Sequence, residues 1–373
     1  MLCARRSEYP TNKKGQGLIP AQLVHTKENG IMKIPEPEYS IANLIDKHHE
    51  SRQEPPRPHL GASTLGHPCD RWLWLSFRWA VQQAFDGRIL RVFRRGNLEE
   101  AQIVSDLRAI GIDIQRTTGN QSRVDFGSHV SGSLDGVIKS GVPGAPKTEH
   151  VAEFKTHSAK SFNDVEKKGV EESKPEHFIQ MQTYMAGTKI DRALYVAVCK
   201  DDDRIYTERV KFDKEVAEKA IARGKRIALS DRMPEPLSAD PTWYQCKWCA
   251  AHDFCFESKI TKHVNCRTCA HSTALENSTW RCERHDANEI PVEWQREGCD
   301  SHVLHPDLVP YQRKESENEW QAIYVINNKD VINGEPDVNV FGSKEILANP
   351  AVCANPDEFS TEFRREFNAR LVG

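Results

Sequence analysis

Three short motifs in this 373-residue chain carry side chains suited to phosphodiester hydrolysis. Asp135 lies in Ser131-Gly-Ser-Leu-Asp-Gly-Val-Ile138, Glu153 and Lys155 form Glu-Phe-Lys, and Gln180 precedes Tyr184 by four positions. Alternate residues of a strand share a face. Glu153 and Lys155 therefore point together, with Phe154 turned to the opposite, buried face. Asp135, on a neighbouring strand, can converge on them. Two carboxylates at one edge suit a hard divalent cation, Mg2+ or Mn2+, which takes oxygen ligands. Such an ion polarises a phosphate and acidifies water. The lysine can then orient that water or stabilise charge on the phosphate oxygens. Gln180 and Tyr184 share one helix face, from which they could steady the lysine and contact a nucleic-acid backbone. Glu100 is the expected third carboxylate, reaching in from an upstream helix, and Glu99 competes for that role. Taken alone, Asp135-Gly136 reads as a turn and Glu153/Lys155 as a solvated strand face. Their order and nesting favour a site.

The elements that must position these residues follow from periodicity. Apolar residues at helical spacing predict a helix from about Asp86 to Ile110, stopped by Gly111. Residues 123–138 and 149–156 read as two strands joined through the Pro/Gly-rich stretch 140–146. Residues 176–187 read as a helix, 193–200 and 204–212 as strands around a turn at Asp201-Asp-Asp203, and 213–229 as a helix with Asp213 as N-cap. The order predicts a mixed α/β fold with a small sheet and helices packed on it. Ahead of it, residues 1–59 read as a weakly structured arm, with a short helix over Asn43–Glu50. Behind it, residues 261–310 are rich in Cys, His and Trp, residues 311–320 form a charged linker, and residues 320–373 make a small α/β tail.

Eight of the eleven cysteines fall into two sets, leaving Cys3, Cys199 and Cys353. Cys69 lies upstream of the strands, and Cys246-x2-Cys249-x5-Cys255 lies downstream. Pairs of this spacing in a large chain read as metal or cluster ligands rather than disulfides. Four thiolates can hold a 4Fe–4S cluster or a zinc ion, and either would close a very long loop. Trp243, Tyr244, Trp248 and Phe254 are expected to shield it from water. The second set, Cys266, Cys269, Cys282 and Cys299, lies in a segment with few aliphatics, where a structural zinc is the natural staple. A three-cysteine site completed by His285 or His302 is the alternative; His271 and His305 lie in the same segment.

Net charge is −3, with 38% hydrophobic and 28% charged residues. No overall basic excess advertises nucleic acid, but a basic groove beside an acidic site can average to near neutrality. Arg88, Arg91, Arg94 and Arg95 make one basic helix face, readable as a phosphate contact or as a solvated surface. Trp72, Trp74 and Trp79 read as core packing ahead of base stacking, and Cys199 as a buried strand residue. No apolar run approaches the ~20 residues of a membrane span. No secretory h-region follows Met1-Leu-Cys-Ala-Arg5. The expected setting is the bacterial cytoplasm, with a phage-encoded version equally consistent.

With these motifs in this order, the chain resembles the PD-(D/E)XK nuclease superfamily. It is most similar to the RecB-like branch, which includes CRISPR-associated iron–sulfur exonucleases and phage-encoded relatives. The resemblance covers roughly residues 60–260. It matches Asp135 to the motif aspartate, Glu153 and Lys155 to the Glu-x-Lys pair, and Gln180 with Tyr184 to the Gln-x3-Tyr signature. Family members commonly offer a histidine from the upstream helix. Here Gly96-x3-Glu100 looks like the glutamate version of phage recombination exonucleases. The layout of Cys69, Cys246, Cys249 and Cys255 is that of the iron–sulfur members, which favours a 4Fe–4S clip over zinc. The resemblance implies a restriction-endonuclease-like mixed central sheet flanked by helices, with the Cys-rich zinc-knuckle segment and α/β tail appended. It further implies divalent-metal-dependent cleavage of DNA to 5′-phosphate ends, as an exonuclease on single strands or duplex ends in recombination, replication or phage DNA metabolism. Two rival readings are a DNA-binding or adaptor protein on an inactive nuclease fold, and an iron–sulfur redox protein. The second lacks any dinucleotide or flavin fingerprint.

Overall fold

The computed structural model describes residues 40–115 and 123–371. Of the arm expected over residues 1–59, residues 1–39, with Cys3, lie outside the described residues. Helix α1 (Ile41–Glu50) is capped by the Ser40 hydroxyl, which accepts from Asn43 N at 3.1 Å. It packs beside α3. Strand β1 (Leu60–Gly61) is followed by α2 (Asp70–Phe77) and the long α3 (Gly87–Ala109), which Asp86 caps through Ile89 N at 2.8 Å.

Strands β2 (Asp113–Gln115), β3 (Arg123–Gly127), β4 (Val130–Ser133), β5 (Gly136–Ser140) and β6 (His150–His157) follow. The single strand expected over residues 123–138 is thus three strands in two sheets. β4 pairs with β1 on one side and β3 on the other, while β5 enters the main sheet. The break has a local cause. Ser128 and His129 adopt φ of 50° and 65°, which turns the chain, and Leu134-Asp135 carries it from one sheet to the next.

Helices α4 (Ala159–Ser173) and α5 (Pro175–Thr188) lead to β7 (Arg192–Cys199), β8 (Ile205–Lys211) and α6 (Lys214–Leu229). The Asp213 cap is present, its carboxylate accepting from Val216 N at 3.1 Å. The main sheet has the order β2-β5-β6-β7-β8, with β6 and β7 parallel and the other neighbours antiparallel. Parallel neighbours need a crossover, and here it is α4 and α5. That connection lays the Gln180/Tyr184 helix against the Glu153/Lys155 strand.

Each sheet face buries its own core. Phe154, Val196 and Val198 pack with Ile103, Val104 and Leu107 of α3. On the other face Tyr195 and Ala197 pack with Phe162, Val165, Met181 and Tyr184 of α4 and α5. Two apolar layers around one mixed sheet flanked by helices make this a mixed α/β fold.

The chain continues through α7 (Tyr244–Lys247), β9 (Ser272–Ala274), β10 (Trp280–Cys282) and α8 (Val292–Glu297). The Cys-rich segment shares a core with α2: Trp280, Ile290 and Leu308 pack with Leu73, Trp74 and Phe77. Arg267 is 1% exposed and donates to Phe77 O at 2.8 Å and Pro58 O at 2.9 Å, its guanidinium 3.8 Å from the Trp79 ring centroid. Trp74 and Trp79 are buried, and Trp72 stacks on His67 at 4.3 Å, so these tryptophans do pack. Cys199 is buried as expected.

The tail holds β11 (Gln312–Lys314), β12 (Ala322–Ile326), β13 (Lys329–Asn333), β14 (Val340–Phe341), α9 (Ser343–Ala348), α10 (Pro350–Ala354) and α11 (Glu358–Phe367). The charged stretch expected to be a linker contributes β11, which pairs with β12. All three of its residues are exposed, and the neighbouring β12 supplies the buried positions. Among the described residues no helix is long and apolar enough to cross a membrane.

Candidate active site

Glu153 and Lys155 stand side by side on β6, and their side chains form an ion pair. Phe154 points to the opposite, α3-covered face, as alternation requires. Asp135 sits on the bend before β5, not on a strand as expected. The bend leaves its carboxylate free to turn, and Oδ2 accepts from Phe154 N at 2.8 Å. The first strand pairs of β5 and β6 begin one residue later, at Gly136–Ala152. The aspartate thus continues the ladder with a side chain where a backbone partner runs out.

Glu153 is completely buried, and its Oε2 finds no hydrogen-bond partner among the described residues. Burial pushes its carboxyl up to about 8, with Asp135 and Glu100 adding to the rise and Lys155 opposing it. Burial alone would lower the Lys155 ammonium, but Glu153, Asp135 and Glu100 outweigh it and hold it above its ordinary value. Glu100 on α3 is therefore within electrostatic reach of both residues. Three carboxylates around one buried point demand positive charge, which Lys155 supplies here.

Tyr184 does not touch the lysine. Its hydroxyl donates to Ser133 O at 2.7 Å, two residues before Asp135, and Gln180 lies beside the same phenol. Gly132 makes room for this. A Cβ there would lie 2.7 Å from Tyr184 Cε1 and 2.8 Å from Ala62 Cβ. Gln180 and Tyr184 thus fix the β4–β5 segment that carries Asp135.

A neighbouring group was not singled out from the sequence. His157 continues the Glu153/Lys155 face, and Tyr195 on β7 pairs in register with Glu153. His157 Nε2 lies 2.8 Å and His177 Nδ1 lies 3.0 Å from the Tyr195 hydroxyl. The available signals were period-two spacing from Lys155 to His157 and one helical turn from His177 to Gln180.

The first cysteine set converges. Cys69, Cys246, Cys249 and Cys255 line one pocket, with His67 and Trp72 beside them. Cys69 Sγ accepts from Trp72 N and Cys249 Sγ accepts from Ala251 N, each at 3.4 Å. Burial raises the Cys249 and Cys255 thiols, and nearby Arg71 works against the rise at Cys255. The expected aromatic shield is mostly absent: Trp248 is 82%, Tyr244 65% and Trp243 45% exposed, and only Phe254 is buried. Residues 243–248 form a single short turn on the surface, too brief to fold three large rings inward.

In the second set, Cys266 and Cys269 are pushed up to about 12, by burial first and then by the neighbouring cysteines of the same set. Cys269 Sγ accepts from His271 N at 3.5 Å. His285 Nε2 lies 3.7 Å from Cys299 Sγ. His302 is taken elsewhere, between Thr268 Oγ1 at 3.1 Å and Ser343 Oγ at 2.7 Å. His305 is likewise committed to Asp231 O and Asp307 N. Among the described residues, no group of three or more His, Cys, Asp or Glu side chains stands in metal-holding geometry.

The basic face of α3 is partly engaged. Arg91 pairs with Asp46 of α1, and Arg95 donates to Lys200 O at 2.8 Å, while Arg88 and Arg94 are exposed.

No family model matches the chain, and no curated protein does. Among solved structures it is similar to SSO0001, at 15% identity and a TM-score of 0.38, over 58% of this chain and 96% of that one. It is also similar to LHK-Exo in complex with dAMP, at 16% identity and a TM-score of 0.33, over 49% and 89% of the two chains. A further structure of that alkaline exonuclease, from Laribacter hongkongensis, gives 16% identity and a TM-score of 0.33 over 48% and 90%. Likenesses at this level carry no argument about activity.

Proposed function

We propose that this chain is a divalent-metal-dependent deoxyribonuclease acting on single-stranded DNA or duplex ends, as an exonuclease. The observation that carries the reading is the buried, unpartnered Oε2 of Glu153, set beside Asp135, Lys155 and the charge of Glu100. A carboxylate oxygen is not buried without a partner unless something positive completes it. Asp135, Glu153 and Glu100 are the residues that would hold Mg2+ or Mn2+, whose chemistry is charge neutralisation at a phosphate and acidification of water. Lys155 can leave Glu153 for the scissile phosphate, where its ammonium stabilises developing negative charge. Tyr184 and Gln180 hold the Asp135 segment in place.

The cysteine sets fit cofactors by their donor chemistry. Four thiols of one pocket, two already accepting backbone N–H bonds, suit a 4Fe–4S cluster joining Cys69 to Cys246, Cys249 and Cys255. Cys266, Cys269 and Cys299 are each raised by burial and by neighbours in the set, Cys282 among them, and only a bound cation would keep such thiols ionised together. Zinc is the ion we assign to them, with His285 as the nearest alternative ligand.

The test is cleavage of end-labelled single-stranded, duplex and circular DNA with Mg2+ or Mn2+ and with chelator. Cleavage should require the metal and a free end. Lys155→Ala should keep the fold and DNA binding and lose roughly 10²–10⁴-fold in turnover. A wild-type protein that binds DNA but cuts none of these substrates would show the adaptor reading to be correct.

A further inference from the structure

The Glu153/Lys155 face of β6 does not end at the lysine. His157 follows on the same face, and from it a hydrogen-bonded chain runs back to α5. Ser161 Oγ lies 3.1 Å from His157 Nδ1. His157 Nε2 and His177 Nδ1 meet at the Tyr195 hydroxyl, and the two imidazoles stack at 5.7 Å. Tyr195 is fully buried and His157 is buried, while His177 is only half-buried. The other ring nitrogen of His177, Nε2, makes no hydrogen bond among the described residues and is not a buried atom. His177, Gln180 and Tyr184 lie at i, i+3 and i+7 of α5, one helix face. The chain therefore ends on an open nitrogen on the face that carries the site.

Counting protons limits what this chain can do. Burial, then the nearby lysines, lowers His157 to about 4. Burial, then Lys155, lowers His177 to about 3. Each imidazole is thus neutral and has one N–H. Tyr195 has one O–H, since burial and Glu153 push its phenol above the ordinary value. A hydroxyl between two neutral imidazoles could accept from both, but the buried Tyr195 O–H would then lack an acceptor, so it donates to one and accepts from the other. Only two arrangements satisfy every contact. In one, Ser161 donates to His157 Nδ1, His157 Nε2–H donates to Tyr195, and Tyr195 donates to His177 Nδ1. His177 then presents Nε2–H outward. In the other every bond reverses, and His177 presents a lone pair. A phosphate oxygen at Nε2 accepts a hydrogen bond, so it selects the first.

We infer that His177 contacts substrate in the proposed nuclease site, donating Nε2–H to a phosphate oxygen of the DNA. Tyr195, His157 and Ser161 are positioning residues that fix its tautomer. The inference rests on the nuclease reading and adds to it a donor that keeps its proton without carrying charge beside Lys155.

Single-turnover cleavage of 5′-labelled single-stranded DNA with Mn2+ tests this, comparing wild type, Lys155→Ala, His177→Ala, Tyr195→Phe and the His177→Ala/Tyr195→Phe double variant. His177→Ala should lower the rate roughly 10²–10³-fold. Tyr195→Phe should lower it about 10- to 100-fold, with DNA affinity and thermal midpoint near wild type. The double variant should be no slower than His177→Ala, because the tyrosine acts through the histidine. A purely structural network would instead lower the midpoint and leave the rate of the folded fraction unchanged. Wild-type cleavage by folded His177→Ala, alongside an inactive Lys155→Ala, overturns the inference and spares the nuclease reading. Should His177→Ala not fold, an unchanged rate for Tyr195→Phe overturns it equally. A wild-type protein without activity overturns both.

Discussion

The backbone N–H of Phe154 donates to the Asp135 carboxylate at 2.8 Å, so a residue on a bend is fastened to the strand that bears Glu153 and Lys155. In the proposed nuclease one aspartate thereby has two tasks, holding β6 and ligating the metal. The two roles separate by substitution. Asp135→Asn keeps an acceptor for Phe154 N and removes the charge. Asp135→Ala removes both and leaves that N–H without its partner, a loss of about 1–3 kcal/mol. Urea unfolding should therefore rank the alanine variant well below the asparagine variant, while both lose Mn2+ binding and cleavage. Equal midpoints for the two variants would show that the hydrogen bond adds no stability.

The second prediction separates the adjacent glutamates of α3. Neighbouring helix positions lie ~100° apart, so both cannot face one point. The charge of Glu100 is among the largest acting on Glu153 and Lys155. Glu100→Ala should abolish cleavage and weaken Mn2+ binding in calorimetry, with Glu99→Ala close to wild type. The reverse order would assign the role to Glu99.

Much of this arrangement was legible in the chain because it depends on local periodicity. Alternation put Glu153 and Lys155 on one face, and the 3.6-residue repeat put Gln180 with Tyr184. What was lost has physical causes. The strand expected over residues 123–138 broke because Gly127, Ser128 and His129 all take left-handed φ values, of which the glycine is the one turn signal. Alternation resumes on both sides, so the pattern looks continuous. The exposed Trp243, Tyr244 and Trp248 were expected to be inside on the strength of their hydrophobicity, which says nothing about which side of a short turn they occupy. The network of His157, His177 and Tyr195 spans two strands and a helix, and only the crossover between β6 and β7 brings the three together.

The cysteine sets should be chemically independent. Anaerobically prepared protein should be brown and contain both iron and zinc by elemental analysis. Cys249→Ala should lose iron and solubility, and Cys282→Ala should lose zinc and spare iron. His285→Ala should retain zinc if four cysteines suffice, since its Nε2 stands 3.7 Å from Cys299 Sγ as a neighbour to the set. Zinc without iron in the anaerobic protein would reassign the first set.

The last prediction concerns acid. His129 and His157 are lowered to about 4, and His177 and His302 to about 3, in each case by burial first. The unfolded chain takes up protons near the ordinary value of 6.5, where the native state does not. Between about pH 6.5 and pH 4 the unfolded state therefore binds more protons, and native stability falls as pH falls through that window. The contribution is fully present above it. Each such histidine adds up to about 1.4 kcal/mol per pH unit. Glu153, raised by burial to about 8, acts in the opposite sense, but it is one group against six, since burial also lowers His59 and His305 to about 4. Urea midpoints measured from pH 7.5 to 4.5 should drop steeply below 6.5. His302 is the most informative to remove, because it is buried between Thr268 and Ser343, away from the carboxylates. His302→Asn should lower stability at pH 7.5 and flatten the slope by about one proton's worth. An unchanged slope in a folded His302→Asn protein would mean that this imidazole is already protonated in the native state, or is not shielded from water.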